Sequence, residues 1–226
     1  MSIERTSAAT APAYGAMTAL YAATLAGSAL LIFWVQPFFA RALLPHAGGA
    51  AAVWLVALVF FQAALLAGYA YAHLLRLYVP LKGQAALHLL LIAIGAVWFL
   101  PPGLGEGFAL DPAAPATGLL AALLIHLGLP FALLSATAPL LQHWFSGSDH
   151  PQADNPYWLY AASNAGSLAA LAAYPFLIEP ALTLGAQGQL WTALYAAVFI
   201  GTGAAAIAAM RGAAAAPHAG AAAPRG

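Results

Sequence analysis

Long apolar runs, separated by breaks rich in proline, glycine or polar residues, dominate the chain. Six of these runs have about the 20 residues that a helix needs to cross a bilayer. They are the windows Ala16–Phe39, Val53–Leu75, Gln84–Leu100, Thr117–Gln142, Tyr157–Ile178 and Gly188–Met210. None alternates apolar and polar positions as the strands of a membrane barrel do. The pattern therefore predicts an all-α, polytopic integral membrane protein with a six-helix transmembrane bundle.

The windows divide the chain into a short N-terminal segment (residues 1–15), a transmembrane domain (16–210) and an Ala/Pro-rich tail (211–226). The tail has no apolar periodicity, and we expect it to be flexible. Cytoplasmic loops are enriched in Lys and Arg. With the N-terminus in the cytoplasm, only Arg41 lies on the outer side, and the inner side holds Arg5, Arg76, Lys82, Arg211 and Arg225. This asymmetry predicts that both termini are cytoplasmic.

Composition supports the membrane assignment and excludes other classes. The chain is 64% hydrophobic and 5% charged, whereas soluble domains carry about 25% charged residues. The lipid bilayer is therefore an expected partner. The formal net charge is +0, so a nucleic-acid partner is not expected, because such proteins carry a basic surplus.

Polar residues inside the windows are the informative ones, since a polar group in hydrocarbon is costly unless it is paired. In the fifth window Tyr160, Ser163, Asn164 and Ser167 recur at the spacing of one helical face. This stripe has two interpretations. It is either the polar wall of a central cavity, or a tight helix–helix seam in which Ser and Asn hydrogen-bond to a neighbouring helix, with the small residues Ala162 and Gly166 beside them.

Other windows carry shorter polar patterns. Gln62, Tyr69 and His73 share one face of the second helix, and packing between helices explains them as well as a cavity does. The fourth window contains two prolines, Pro130 and Pro139, which predict kinks or unwound turns of the kind found in transporters. The candidate substrate-binding residues are Gln36, Gln62, His126, Ser135, Thr137, Tyr160, Ser163, Asn164 and Ser167.

Charged residues stand only near the ends of the windows. Arg41 either attracts an anionic group or extends toward the lipid headgroups, and spacing alone does not decide whether it pairs with Glu179. His143, Asp149, His150 and Asp154 share one loop, but their spacing fits no standard metal site. We therefore expect no metal, no cofactor and no catalytic residue. A membrane-embedded enzyme that uses His73 or His126 is an alternative without a supporting acid–base pair.

Two segments carry a family resemblance: SALLIFWVQPFFARALLPHAGGAAAVWLVALVFFQAALLAGYAYAHLL (28–75) and LPFALLSATAPLLQHWFSGSDHPQADNPYWLYAASNAGSLAALAAYPFLIEPAL (129–182). Both resemble the membrane domain of the bacterial spermidine synthase-like family, also described as fused MFS/spermidine synthase. The resemblance implies a six-helix bundle similar to an MFS half, in a bacterial inner membrane. The matching positions are Gln36, Pro37, Arg41, Gln62, Ser135, Thr137, Pro139, Tyr160, Ser163, Asn164 and Glu179.

In longer members of that family a cytoplasmic, Rossmann-like aminopropyltransferase domain follows the membrane half. We expect this domain to be absent here, since the sequence to Gly226 contains no βαβ unit, and we therefore do not expect enzyme activity. A truncated gene product without a role of its own is a further alternative.

Two functional hypotheses follow from the resemblance and the polar stripes. In the first, the chain is a transporter-like half or a docking platform for a cytoplasmic Rossmann-type synthase or methyltransferase that handles amines or nucleotides. In the second, it is a self-sufficient small-molecule carrier that works as a homodimer.

Overall fold

The structure, a computed structural model, describes the backbone of residues 3–47, 51–105, 108–111 and 114–215, and most of their side chains. The described part is helical, without strands. Its α-helices are α1 Ile3–Ala47, α2 Ala51–Tyr78, α3 Leu81–Phe99, α4 Pro115–Leu123, α5 Leu129–Ser146, α6 Tyr157–Ala173, α7 Glu179–Ala181 and α8 Leu184–Ala215. Two π-helical turns, Leu124–Gly128 and Tyr174–Ile178, join α4 to α5 and α6 to α7.

These elements form six spans that are long and apolar enough to cross a membrane: Ala13–His46, Trp54–Tyr78, Leu81–Phe99, Pro115–Ser146, Tyr157–Ala181 and Leu184–Gly212. The predicted six-helix fold is therefore confirmed. Most spans extend a few residues beyond the predicted windows. Helix α1 already begins within the predicted N-terminal segment, and α8 continues into the predicted tail. Residues 216–226 of that tail lie outside the described part.

Helices α1 and α5 form the centre of the bundle. Helix α1 packs against α5, α6 and α8, while α5 also contacts α2, α3 and α8. The span that contains α5 is 56% buried, whereas the spans of α2 and α6 are 22% and 17% buried. Helices α2 and α6 therefore pack on the centre with one side each and leave broad faces open.

Glycines set the closest approaches between these helices. A Cβ atom at Gly166 of α6 would collide with the backbone carbonyl oxygen of Ala26 in α1. A Cβ atom at Gly68 of α2 would collide in the same way with the carbonyl oxygen of Ala132 in α5. Small residues permit such contacts, which dispersion and weak hydrogen bonds then stabilise. A seam between α6 and α1 is therefore present at Gly166. Among the described residues, however, no side-chain hydrogen bond to a neighbouring helix is made by Ser163, Asn164 and Ser167.

The prolines of the fourth span act differently from one another. The π-helical turn Leu124–Gly128 lies just before Pro130, which confirms an irregular turn at this point. Pro139, by contrast, lies inside α5, which the structure assigns as one continuous α-helix. A second π-helical turn contains Pro175, which the sequence analysis did not single out. Such turns accommodate the missing N–H of proline and redirect the helix.

For orientation, we call the side where α1 ends and α2 begins the Arg41 end. The opposite side, where α5 and α6 are connected through His150, is the His150 end.

Candidate functional site

A cavity of about 510 Å³, which we call the polar chamber, lies between α1, α2, α5 and α6. Six of the nine predicted substrate-binding residues line it, and they come from all four helices: Gln36, Gln62, Ser135, Ser163, Asn164 and Ser167. Ser28, which the sequence analysis did not single out, also contributes to the lining, as does Tyr69. The cavity interpretation of the fifth window therefore fits Ser163, Asn164 and Ser167, which line the chamber on both sides of Gly166 in the sequence.

The hydroxyl groups at the floor of the chamber are largely paired within the protein. Ser28 donates to the carbonyl oxygen of Leu134 over 2.9 Å and so connects α1 to α5. Ser135 and Ser167 donate to carbonyl oxygens one turn earlier in their own helices, at 2.9 and 3.1 Å. Such pairing is the usual way for hydroxyl groups to lie in a helix within a membrane. These groups shape the floor while retaining acceptor capacity toward the chamber.

Two of the three amide side chains that line the chamber are unpaired, whereas Gln36 donates from Nε2 to the carbonyl oxygen of Ile32 over 3.2 Å. Gln62 lies about 12 Å inside the α2 span from its Arg41 end, and Asn164 about 10 Å inside the α6 span from the His150 end. Within the described part of the chain, neither side chain has a hydrogen-bond partner, and both are exposed. An amide can donate two and accept two hydrogen bonds. Facing hydrocarbon without partners would cost several kcal/mol, so both amides require water or a bound solute.

No charged side chain is among the residues that line the chamber. Its walls combine hydroxyl and amide groups with apolar contacts from Phe33, Phe61, Phe131 and Leu168. A mostly apolar cavity with a few convergent polar groups is the usual form of a small-molecule site. The chamber can hydrogen-bond a neutral solute but offers no counter-charge to an ion.

A second cavity, of about 680 Å³, continues toward the Arg41 end, and we call it the outer crevice. Phe33, Gln36, Phe61 and Leu171 line both cavities, so the two are adjacent compartments of one groove. The groove runs along α1 from Ser28 to Leu44, about 24 Å at the helical rise. Helix α2 forms one wall and the α6 span forms the other.

Arg41 and Glu179 lie in the outer crevice. The Nε atom of Arg41 is 3.7 Å from the carboxylate oxygen Oε1 of Glu179, and its Nη1 atom donates to the Glu179 carbonyl oxygen over 3.1 Å. The structure thus shows the pair that spacing left open. The side chains remain 37% and 45% exposed. The closer bond goes to the backbone, so both charged groups keep capacity for another partner.

Three predicted site residues lie elsewhere, and the prediction for them is not supported by the lining of either cavity. Thr137 is fully buried and contacts His88 of α3 instead. His126 is half-buried in the π-helical turn before α5. Tyr160 is 52% exposed and packs beside Tyr157. Helical spacing identified faces on single helices, but it could not determine which neighbouring helix each face meets.

The histidines proposed for other chemistry are also separated from the chamber. His73, near the His150 end of α2, is exposed. His150 packs on α1, with its Nε2 atom 3.0 Å from the Thr18 hydroxyl and its ring against Tyr14. The described residues contain no group of three potential ligands that could hold a metal ion.

A buried polar cluster between α3 and α5 was missed by the sequence analysis. The Nε1–H group of Trp144 donates to Oε1 of Gln84 over 2.8 Å, and Nε2 of Gln84 donates to the carbonyl oxygen of Val79 over 2.8 Å. His88, one turn further along α3, is fully buried, and its Nε2 atom lies 3.2 Å from the Thr137 hydroxyl. Polar residues inside the third window were the available signal. The cluster connects α3, at its His150 end, to α5 through side-chain hydrogen bonds.

We expect Gln84→Leu to lower the free energy of unfolding by about 1 to 2 kcal/mol, because the buried Trp144 indole N–H would lose its acceptor. Thermal unfolding of the purified protein in detergent measures this effect. Gln152→Leu, at an exposed loop position, is the matched control and should leave the unfolding temperature unchanged. Equal unfolding temperatures for the two variants would contradict a stabilising role for the Gln84–Trp144 bond.

Comparisons of the chain with protein-family models, with curated proteins and with solved structures give no match. The resemblance to the spermidine synthase-like family therefore stays an expectation from the sequence. Function is therefore inferred from the geometry of the groove, from the unpaired amides of Gln62 and Asn164, and from the positions of Arg41 and Glu179.

Proposed function

We propose that this protein is a membrane module that binds a small neutral, hydrogen-bonding solute in the polar chamber, as a transporter-like half. One observation carries the proposal: Gln62 and Asn164 lie within membrane spans, line one chamber and have no protein hydrogen-bond partner in the described structure. Polar groups at such depth normally face a bundle interior or a water-filled pathway. A solute with complementary donors and acceptors would satisfy both amides.

The chemistry of the chamber selects against charged solutes. The family resemblance implies a link to polyamines. A polyamine would require carboxylates or several aromatic faces around each ammonium group. The chamber lining contains no carboxylate. Amides, polyols and similar neutral metabolites match the lining better, because hydroxyl and amide groups both donate and accept hydrogen bonds.

The open faces of α2 and α6 support a half-transporter rather than a closed carrier. Both helices line the chamber, yet their spans are only 22% and 17% buried. A single copy therefore leaves the polar chamber uncovered along one side. We propose that a second copy covers the chamber and completes the pathway, as closed two-fold assemblies of identical subunits commonly do.

Cysteine accessibility tests the proposal directly, because the chain contains no cysteine. We expect Ser163→Cys, in the chamber wall, to react with a small charged methanethiosulfonate reagent in native membranes. Neutral solutes that bind the chamber should slow this reaction. Screening a panel of amides, polyols and nucleosides for such protection identifies the substrate class.

Ala169→Cys is the matched control, since Ala169 is exposed on the side of the same helix opposite the chamber-lining residues and does not line the chamber. It should face lipid and resist the charged reagent. Equal reactivity at both positions, or no reaction at Ser163→Cys, would overturn the water-accessible chamber. Protection by none of the solutes would overturn the assignment of substrate class.

A further inference from the structure

The outer crevice presents two opposite charges at one end and apolar walls along the rest of its length. Arg41 and Glu179 line it, together with aromatic side chains such as Phe33, Trp54 and Phe61. The 3.7 Å separation of the two charged side chains exceeds that of a close ion-pair hydrogen bond, about 2.7–2.9 Å. The cation and the anion are therefore both available to a ligand that carries the complementary pair of charges.

A buried hydroxyl lies beside these charges. Tyr174 lines the crevice, its side chain is 4% exposed, and its hydroxyl oxygen makes no well-formed hydrogen bond. Arg41 and Glu179 are its electrostatic neighbours, and the Arg41 guanidinium lies close enough to donate toward the hydroxyl oxygen. Among the described residues the hydroxyl proton has no acceptor, and a buried donor without an acceptor is costly. A phosphate oxygen at Arg41 could accept a bond from this hydroxyl, since a phosphate offers several strong acceptor oxygens.

The apolar part of the crevice has the depth of one lipid leaflet. It follows α1 from Arg41 to Phe33, about 12 Å, and one leaflet of a hydrocarbon core is about 15 Å deep. Trp54 and Leu58 of α2 and Leu171 of α6 line it and are at least half exposed. Within a bilayer, the crevice therefore opens sideways between α2 and α6.

We propose that the outer crevice is a binding site for a zwitterionic phospholipid that carries a primary ammonium group, of the phosphatidylethanolamine type. The phosphate pairs with Arg41 and accepts the Tyr174 hydroxyl bond, the ammonium group pairs with Glu179, and one acyl chain lies along the apolar walls. The opposite charges distinguish this lipid from an anionic one, which would leave Glu179 repelled. This site is separate from the proposed solute chamber and does not depend on it.

Native mass spectrometry of the full-length protein in detergent tests the site with palmitoyl-oleoyl lipids as probes. We expect phosphatidylethanolamine to bind about fivefold more tightly than phosphatidylglycerol, roughly the effect of one favourable surface charge contact. Inorganic phosphate and phosphoethanolamine should not compete at equal concentration, because they lack the acyl chain. This comparison uses only the unmodified protein, so its result does not depend on whether a substituted protein folds.

Single substitutions test which side chain contacts each part of the lipid. Glu179→Gln should remove the preference for phosphatidylethanolamine, and Arg41→Gln should weaken both lipids. Ala57→Phe, which fills the crevice, should weaken both as well. The matched controls are Arg211→Gln, at an exposed position of α8, and Ala63→Phe, on the exposed side of α2. Neither should change lipid binding.

Three results would overturn the proposal. Equal binding of the two lipids by the unmodified protein would exclude recognition of the ammonium group. Full competition by inorganic phosphate would indicate a free-anion site. Disulfide cross-linking of Trp54→Cys between two copies in phosphatidylethanolamine vesicles would show that protein, not lipid, covers the crevice.

Discussion

Gly166→Val is expected to separate α1 from α6 and to lower the free energy of unfolding by about 3 kcal/mol. The reason is geometric: the backbone carbon and Cα atoms of Ala26 would lie 2.7 and 2.8 Å from a Cβ atom at this position. Real Cβ contacts are never so short, and backbone atoms cannot turn aside as a side chain can. Gly166→Ala should already destabilise the protein, and valine should add to the effect.

Gly203→Ala in α8 is the matched control, because the nearest atoms to a Cβ there are the methyl groups of Leu89 at 3.8 and 3.9 Å. This variant should be neutral or slightly stabilising, since alanine is the better helix former. The unfolding temperatures of all three variants are measured in detergent, with size-exclusion chromatography used to monitor loss of the folded protein. If Gly166→Ala and Gly203→Ala unfold at the same temperature, the α1–α6 seam is not as close as described.

The six spans could be predicted from the sequence because the bilayer leaves the backbone few choices. Every N–H and C=O group in hydrocarbon must be bonded within the segment, so a long apolar window is a helix almost by necessity. Local polarity also singled out a face of α6 from which Ser163, Asn164 and Ser167, but not Tyr160, line the chamber. Ser163, Asn164 and Ser167 are close in sequence, so their shared face depends only on helical periodicity.

The remaining features depend on how distant helices meet. Arg41 and Glu179 are 138 positions apart, and no periodicity relates them. Thr137 looked like a cavity residue on α5, but the neighbouring α3 presents His88 to it. The sequence predicts which side of a helix is polar; the packing of small residues at Gly68 and Gly166 decides which helices that side meets.

Packing residues and polar residues occupy different faces of α6. Gly166 is buried against Ala26 of α1, whereas Asn164 is exposed in the chamber. Two residues correspond to about 200° of rotation on a helix. The seam therefore holds α6 at a fixed distance from α1 while the amide points into the groove, so the packing contact positions the polar one.

Asn164→Leu is expected to reduce solute uptake about tenfold or more without unfolding the protein. Leucine is similar in size but cannot hydrogen-bond, and an unmatched polar group on the solute costs about 1–3 kcal/mol. Proteoliposomes incubated with a defined mixture of neutral amides, polyols and nucleosides, and analysed by mass spectrometry of the trapped contents, give the measurement. Empty liposomes define the background.

Asn155→Leu, at an exposed loop position, is the matched control and should transport like the unmodified protein. Asn164→Gln should retain part of the uptake, because it keeps the amide while displacing it by one methylene group. This partial rescue separates a solute contact from a packing role, because a purely steric role would not depend on the amide group. Unchanged uptake by a folded Asn164→Leu protein would show that the chamber is not part of the transport pathway. The proposed lipid site, at the other end of the groove, would be unaffected by that result, because lipid binding is measured separately.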